Sequence, residues 1–233
     1  MSIKVSISAK VETPLSIFVT GGTGYIGSRL IKLLLAKGHK ATALVRSGSE
    51  AKIPPGCDVV LGNALDASTY KHLLTHQTVF VHLIGVSKPN PSKTKAFNDI
   101  DLASVKAAVK AAEPNLIQHF VYLSVAQTPS KIMQFYQNIR AHCEQLILAK
   151  HYTSVSILRP WYVIGPGHYW PLLFLPLYWL LKKLPSTRQK AENLDLVWLN
   201  NILANLVYAI ENPNKSQEIT YYEIANIKQF SLE

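Results

Sequence analysis

Cysteine is nearly absent from the 233 residues: Cys57 and Cys143 stand far apart, with no His or Cys at metal-ligand spacing beside either. A disulfide framework and a structural metal are thereby excluded as organising devices, and a reducing, cytoplasmic setting is the expectation. No apolar run reaches the roughly 20 residues that a membrane-spanning helix needs. Acidic residues are scarce, 14 against 24 Lys and Arg, which leaves a net charge of +10. The cations are dispersed, and no basic run has the length of a nucleic-acid arm. An anionic small ligand or an acidic membrane surface is therefore expected as partner, and nucleic acid is not. Residues 1–14 lack both a continuous apolar stretch and a small-residue cleavage pattern, so they do not read as a secretory signal. The alternation of Ile3, Val5 and Ile7 with polar residues suits an edge strand or an arm.

With 48% hydrophobic residues the chain can bury one sizeable core,. The stretch that organises it runs from Thr20 through Gly21, Gly22, Thr23, Gly24, Tyr25 and Ile26 to Gly27. A β-branched run at 17–19 leads in and an apolar-periodic segment at 30–35 leads out, so the glycines sit where a strand turns into a helix. That is the context of a dinucleotide site. Gly21 suits the tight turn, Gly24 lets backbone N–H groups approach a pyrophosphate, and Gly27 suits close packing of the helix on the sheet. The phosphates would rest on the helix N-terminus. Further strands are predicted at 41–45, 58–61, 79–83, 119–123 and 154–158, alternating with helices at 25–37, 67–74 behind an Asp66 cap, 101–112 and 132–150. Such alternation requires crossovers and makes the sheet parallel, so the predicted fold is an α/β, doubly wound Rossmann sheet. Residues 15–167 form its core and 168–233 a small C-terminal cap with the final sheet elements, all in one compact domain.

At the end of the second strand, where an acidic residue would grip the ribose 2′-hydroxyl of NAD, the chain has Arg46, followed by Ser47 and Ser49,. A guanidinium fork suits a 2′-phosphate, so NADP(H) is expected over NAD(H). Arg29 is placed to assist from the helix.

The glycine stretch, residues 62–66 after the third strand, 82–85 after the fourth, 123–125 after the fifth, Arg159 and Pro160 after the sixth, and Gly165, Pro166 and Gly167 beyond it occur in that order. As a set they resemble the atypical and extended short-chain dehydrogenase/reductase superfamily. Within it the chain looks most like the NAD(P)H-binding proteins related to nitrogen-metabolite-repression regulators and to the nucleotide-binding accessory subunit of respiratory complex I. The resemblance implies roles. Asn63 and Ala64 would hold the adenine, and Leu83 and Gly85 would line the path to the nicotinamide ribose. Ser124 would hold a carbonyl oxygen. Tyr136 and Arg140 occupy the place of the family's Tyr-x-x-x-Lys, with Glu144 following. Four apart on one helix face, the cation sits beside the phenol and would make it a usable acid at neutral pH. Arginine stays protonated, however, and cannot pass a proton along a relay.

All four tryptophans, Trp161, Trp170, Trp179 and Trp198, follow residue 160. An aromatic-walled substrate pocket is expected around Trp161, His168 and Trp170. Residues 170–181 are apolar on every side and are followed by Lys182 and Lys183. The ranking is a buried cap helix, then a subunit interface such as a homodimer's, then a peripheral membrane contact. A strand at 194–199, a helix at 200–210 capped by Asn200 or Asn201, and a strand at 219–222 complete the reading. The leading function is an NADP-dependent reductase of a small, apolar carbonyl or enone compound. A non-catalytic dinucleotide binder that senses redox state or supports an assembly is the alternative, and a sugar-nucleotide epimerase or dehydratase ranks third.

Overall fold

In this computed structural model, residues 3–6, 11–75, 77–86, 89–214 and 217–233 are described, and Ile7 lies outside them. The strands are β1 (Ile3–Val5), β2 (Ser16–Thr20), β3 (Lys40–Val45), β4 (Asp58–Leu61), β5 (Val79–His82), β6 (His119–Leu123), β7 (Ser154–Leu158), β8 (Tyr162–Ile164), β9 (Leu196–Trp198), β10 (Ile219–Tyr222) and β11 (Phe230–Leu232). The helices are α1 (Gly27–Ala36), α2 (Thr94–Ala96), α3 (Ala103–Ala111), α4 (Gln134–Leu148), α5 (Leu175–Lys183), α6 (Pro185–Asn193), α7 (Leu199–Glu211) and α8 (Ile224–Ile227). Seven strands form one parallel sheet in the order β10-β7-β6-β5-β2-β3-β4. The winding reverses between β2 and β5, and loops leaving the two strands on either side of such a switch point part to leave a crevice.

Side-chain alternation along these strands divides the core into two. Ile17 and Val19 of β2, with Val79 and Val81 of β5, face α1 and α7, whose Leu30, Ile31, Leu34, Leu203 and Leu206 close that side. Phe18, Phe80 and Phe120 turn to the other face and meet α3 and α4. Because β2, β5 and β6 pair in register, these rings stack in a row, with centroids 5.4 and 5.1 Å apart, and Tyr152 continues it at 5.1 Å. Tyr70 stacks on Phe18 from the opposite end.

Several expectations are corrected. Residues 67–74 form two 3₁₀ turns rather than a helix. The buried Tyr70 ring is drawn onto Phe18 and its backbone leaves helical geometry with φ of −142°. Asp66 does cap this segment, accepting from Ser68 N. The predicted helix at 101–112 starts earlier, passing from α2 through a π-helical stretch, Phe97–Leu102, into α3. The strand expected at 194–199 is β9, outside the main sheet and paired with β8, a strand the sequence pattern did not reveal. Neither Asn200 nor Asn201 caps α7: the N-cap is Trp198, because Leu199 is already buried, and Asn201 Nδ2 instead donates to the Phe230 carbonyl. The N-terminal strand exists, but β1 pairs with β11 in a separate two-stranded sheet. Finally, the segment 170–181 is no buried cap. Its 3₁₀ turn (Trp170–Phe174) and α5 leave Leu173 81%, Trp179 62%, Leu177 51% and Leu180 51% exposed.

Candidate dinucleotide and carbonyl site

Gly21 has φ of +82°, and an added Cβ would lie 2.9 Å from the Leu83 backbone, so only glycine lets the loop after β2 pass this close to the loop after β5,. At Gly27 a Cβ would run into the Gly21 carbonyl and sit 2.9 Å from Gly22 Cα; the constraint is packing of α1 on its own loop rather than on the sheet. Gly24 is different. Its added Cβ would meet only the Gly21 oxygen, at 3.1 Å, and open space beyond.

Two cavities join at this loop, sharing Gly21, Gly24, Leu83, Ile84 and Gly85. One, of about 360 Å³, is lined by Thr23, Arg46, Ser49, Asn63 and Ala64. Arg46 is exposed there and makes no ion pair with a described residue. Asn63 Oδ1 accepts from Leu65 N at 3.1 Å, which leaves the amide donor for a ligand,. Arg29 does not join Arg46: it donates to the Tyr25 carbonyl at 2.8 Å and lies 4.3 Å over the Tyr25 ring.

The second cavity, of about 420 Å³, is lined by Tyr25, Ile26, Gly27, Ser124, Tyr136, Arg140, Trp161, His168 and Trp170 among others. Aromatic rings wall it, but its polar groups are tied to the protein. Arg140 is buried and donates to Asp101 Oδ1 at 2.8 Å, to the Ile84 carbonyl at 3.3 Å and to the Leu123 carbonyl. It therefore fastens the ends of β5 and β6 to the turn before α3. Gly85 accommodates the pair, since a Cβ there would stand 3.3 Å from Asp101 and 3.4 Å from Arg140. Ser124 donates its hydroxyl hydrogen to Glu144, whose carboxylate is held by Arg159, and Arg159 reaches Glu223 at 2.7 Å. His168 has both nitrogens engaged: Nδ1 lies 2.7 Å from the Val163 carbonyl and Nε2 accepts from Trp170 Nε1 at 2.8 Å. It shapes the loop over the cavity and offers no free nitrogen. The Tyr136 phenol is pushed above its ordinary range by burial, and the neighbouring Arg140 charge offsets only part of that. The expected lowering is thus reversed, because desolvation outweighs the cation.

Asp101 and Glu223 are the polar partners that motif reading missed. Both act through pairs distant in sequence, and the one local hint was a carboxylate in an otherwise apolar-periodic helix start. Beneath Asp101, His82 is fully buried between Thr20 Oγ1 at 2.8 Å and Ser104 Oγ at 3.2 Å. Ser104 donates to the Asp101 carbonyl, so it accepts from His82 Nε2–H. Burial, aided by Arg140, pushes the His82 pKa down to about 3. The folded value lies below the unfolded one, so the stability it contributes is complete above about pH 6.5 and is lost progressively as pH falls towards the folded value. Urea midpoints measured at pH 7 and pH 5 are expected to show an acid loss that shrinks by about 2 kcal/mol in His82→Gln, the remainder coming in part from His119, whose pKa burial pushes down to about 4,. An unchanged pH dependence in that variant would contradict the assignment.

The switch-point crevice and the glycine loop define a dinucleotide-binding α/β protein. The chain belongs to the NAD(P)H-binding family, whose model matches residues 21–169, which is consistent with the resemblance to the atypical, extended short-chain dehydrogenase/reductases. It is 27% identical over 169 residues to the 4-hydroxy-2-methyl-3-oxo-4-farnesyl-3,4-dihydroquinoline-1-oxide ketoreductase of Stigmatella aurantiaca, covering 64% of this chain and 50% of that one. It is 31% identical over 113 residues to a photosystem II assembly factor of Guillardia theta, covering 48% and 35%. The chain thus spans half, or less, of these relatives' lengths. In fold it is similar to the Bordetella bronchiseptica enzyme WbmH in complex with NAD+, with a TM-score of 0.66 at 18% identity over 90% of this chain and 75% of that one.

The residues present fit such a cofactor. The open space above Gly24 would accept a pyrophosphate, two joined cavities suit the cofactor's two halves, and the buried hydroxyl of Tyr25, which lines the larger of them, has no partner among the described residues.

Proposed function

We propose that the chain is an NADP(H)-dependent reductase of a small, apolar carbonyl or enone compound. The observation that carries this reading is the meeting of Ser124 and Tyr136 in an aromatic-walled cavity that joins the glycine-loop cavity. When bound, the reduced nicotinamide supplies a hydride. Tyr136, kept protonated by burial, supplies the proton to the substrate oxygen,. Ser124 turns its hydrogen from Glu144 towards that oxygen, and Arg140, one turn along α4 from Tyr136, bonds the end of β6 that carries Ser124. The ketoreductase relative supports the reaction class. The test is loss of NADPH absorbance with a panel of ketones, aldehydes and enones. Saturable turnover is expected, and NADPH binding without consumption by any member would overturn the reductase reading.

A second reading, a dinucleotide binder without turnover, is favoured by one observation: Arg140 and Ser124 are both committed to internal partners. The assembly-factor relative accords with it, and the same assay separates the two.

Cofactor choice is a prediction of its own. Arg46 gives NADPH at least about tenfold tighter binding than NADH, the equivalent of one charge-assisted contact. Fluorescence titration should show that preference collapse in Arg46→Ala. Equal affinities in the wild type would overturn the assignment.

A further inference from the structure

Among the described residues no helix is long and apolar enough to cross a membrane, yet α5 and the turn before it expose more apolar surface than a solvated helix needs,. The segment is two-sided. Phe174 stacks on Tyr162 with centroids 5.6 Å apart, and Tyr178 is half-buried, so the side bearing Phe174, Tyr178 and Leu181 packs inward. Leu173, Leu177, Leu180 and Leu184, spaced by four, three and four, are 81, 51, 51 and 46% exposed. Trp179 stands beside them, 62% exposed, with Lys183 Nζ 3.9 Å over its ring. Residues 169–191 contain Lys182, Lys183, Arg188 and Lys190 and no carboxylate. Lys182 shares Asp195 with Lys228, and Arg188 pairs with Glu192, which leaves Lys183 and Lys190 without a carboxylate partner among the described residues.

We infer that this face docks on an anionic lipid surface, with the leucine stripe at the acyl boundary, Trp179 at headgroup level and the lysines on the phosphates. Short apolar stripes flanked by aromatics and cations partition in this way. Charge decides against a second copy as occupant: each chain carries +10, and two basic flanks brought together would repel,. The inference stands on the surface of α5 and does not depend on turnover.

The test is co-sedimentation of the full chain with phosphatidylcholine vesicles and with vesicles that also contain phosphatidylglycerol. Anionic lipid is expected to strengthen association at least about tenfold, and high salt to reverse the gain. Leu177→Ser/Leu180→Ser is expected to weaken association at least about tenfold on both vesicles. Lys183→Gln/Lys190→Gln is expected to abolish only the anionic preference. None of these side chains lines either cavity, so NADPH titration serves as the folding control. Absence of vesicle association in the wild type, indifference to the serine changes, or a concentration-dependent dimer that the serine changes dissolve would each overturn it.

Discussion

Tyr136→Phe is expected to lower turnover in NADPH-dependent carbonyl reduction by about 10² to 10⁴ while cofactor affinity stays within about twofold. The ring remains, so its contact with Phe97, at 4.7 Å between centroids, and its place in the cavity wall are kept; only the proton is lost. A purely structural role would give the opposite pattern, because phenylalanine is well tolerated at a buried aromatic site. Steady-state rates and NADPH titrations on the same preparations decide it, and unchanged turnover would refute the role of the phenol. The companion variant Arg140→Lys keeps a charge beside Asp101 but cannot serve three acceptors spread over Asp101, Ile84 and Leu123,. It is expected to lose stability, so a gain in turnover can be read only after folding has been checked.

The second large effect concerns Asp101→Ala. Both partners of the Asp101–Arg140 pair are buried, with side-chain exposures of 0 and 3%. Removing the carboxylate strands a guanidinium in the core and frees Val86 N, which Asp101 Oδ2 accepts at 3.2 Å. Breaking such a pair costs about 3–5 kcal/mol. Urea unfolding is the measurement. A cost under about 1 kcal/mol would mean that solvent reaches Arg140 and that the pair does not organise the strand ends. The double change Asp101→Leu/Arg140→Met is expected to cost less than the two single changes summed, because no charge is then left unpaired.

Much of the sheet was legible in the sequence: β2, β6 and β7 lie in the buried middle of a parallel sheet and read as short apolar or β-branched runs, while the largely exposed edge strands β4 and β10 were marked by their β-branched and aromatic residues,. The glycine loop was legible for a similar local reason: its backbone constraint is written in adjacent residues. Asp101 pairs with a residue 39 positions away, and no pattern of spacing announces such a partner. The exposure of α5 was hidden by the opposite problem. A helix apolar on every side reads as buried, although only its Phe174 and Tyr178 side meets the protein,. Likewise His168 and Ser124 were recognisable as cavity residues, but whether their polar atoms face a ligand or a neighbour depends, for Ser124, on Glu144 twenty positions on and, for His168, on a loop conformation that folds Val163 and Trp170 onto its ring.

Because all seven strands of the main sheet run parallel, every loop that leaves a strand's C-terminal end lies on one rim, and both cavities draw their linings from that rim. The other rim, roughly 15 Å away across strands of four to six residues, carries exposed positions such as Asn115, Lys150 and Thr153, none of which lines a cavity,. A tether, affinity tag or optical reporter attached there leaves the crevice untouched. Immobilised through that rim, the chain would present both cavities to whatever flows past it.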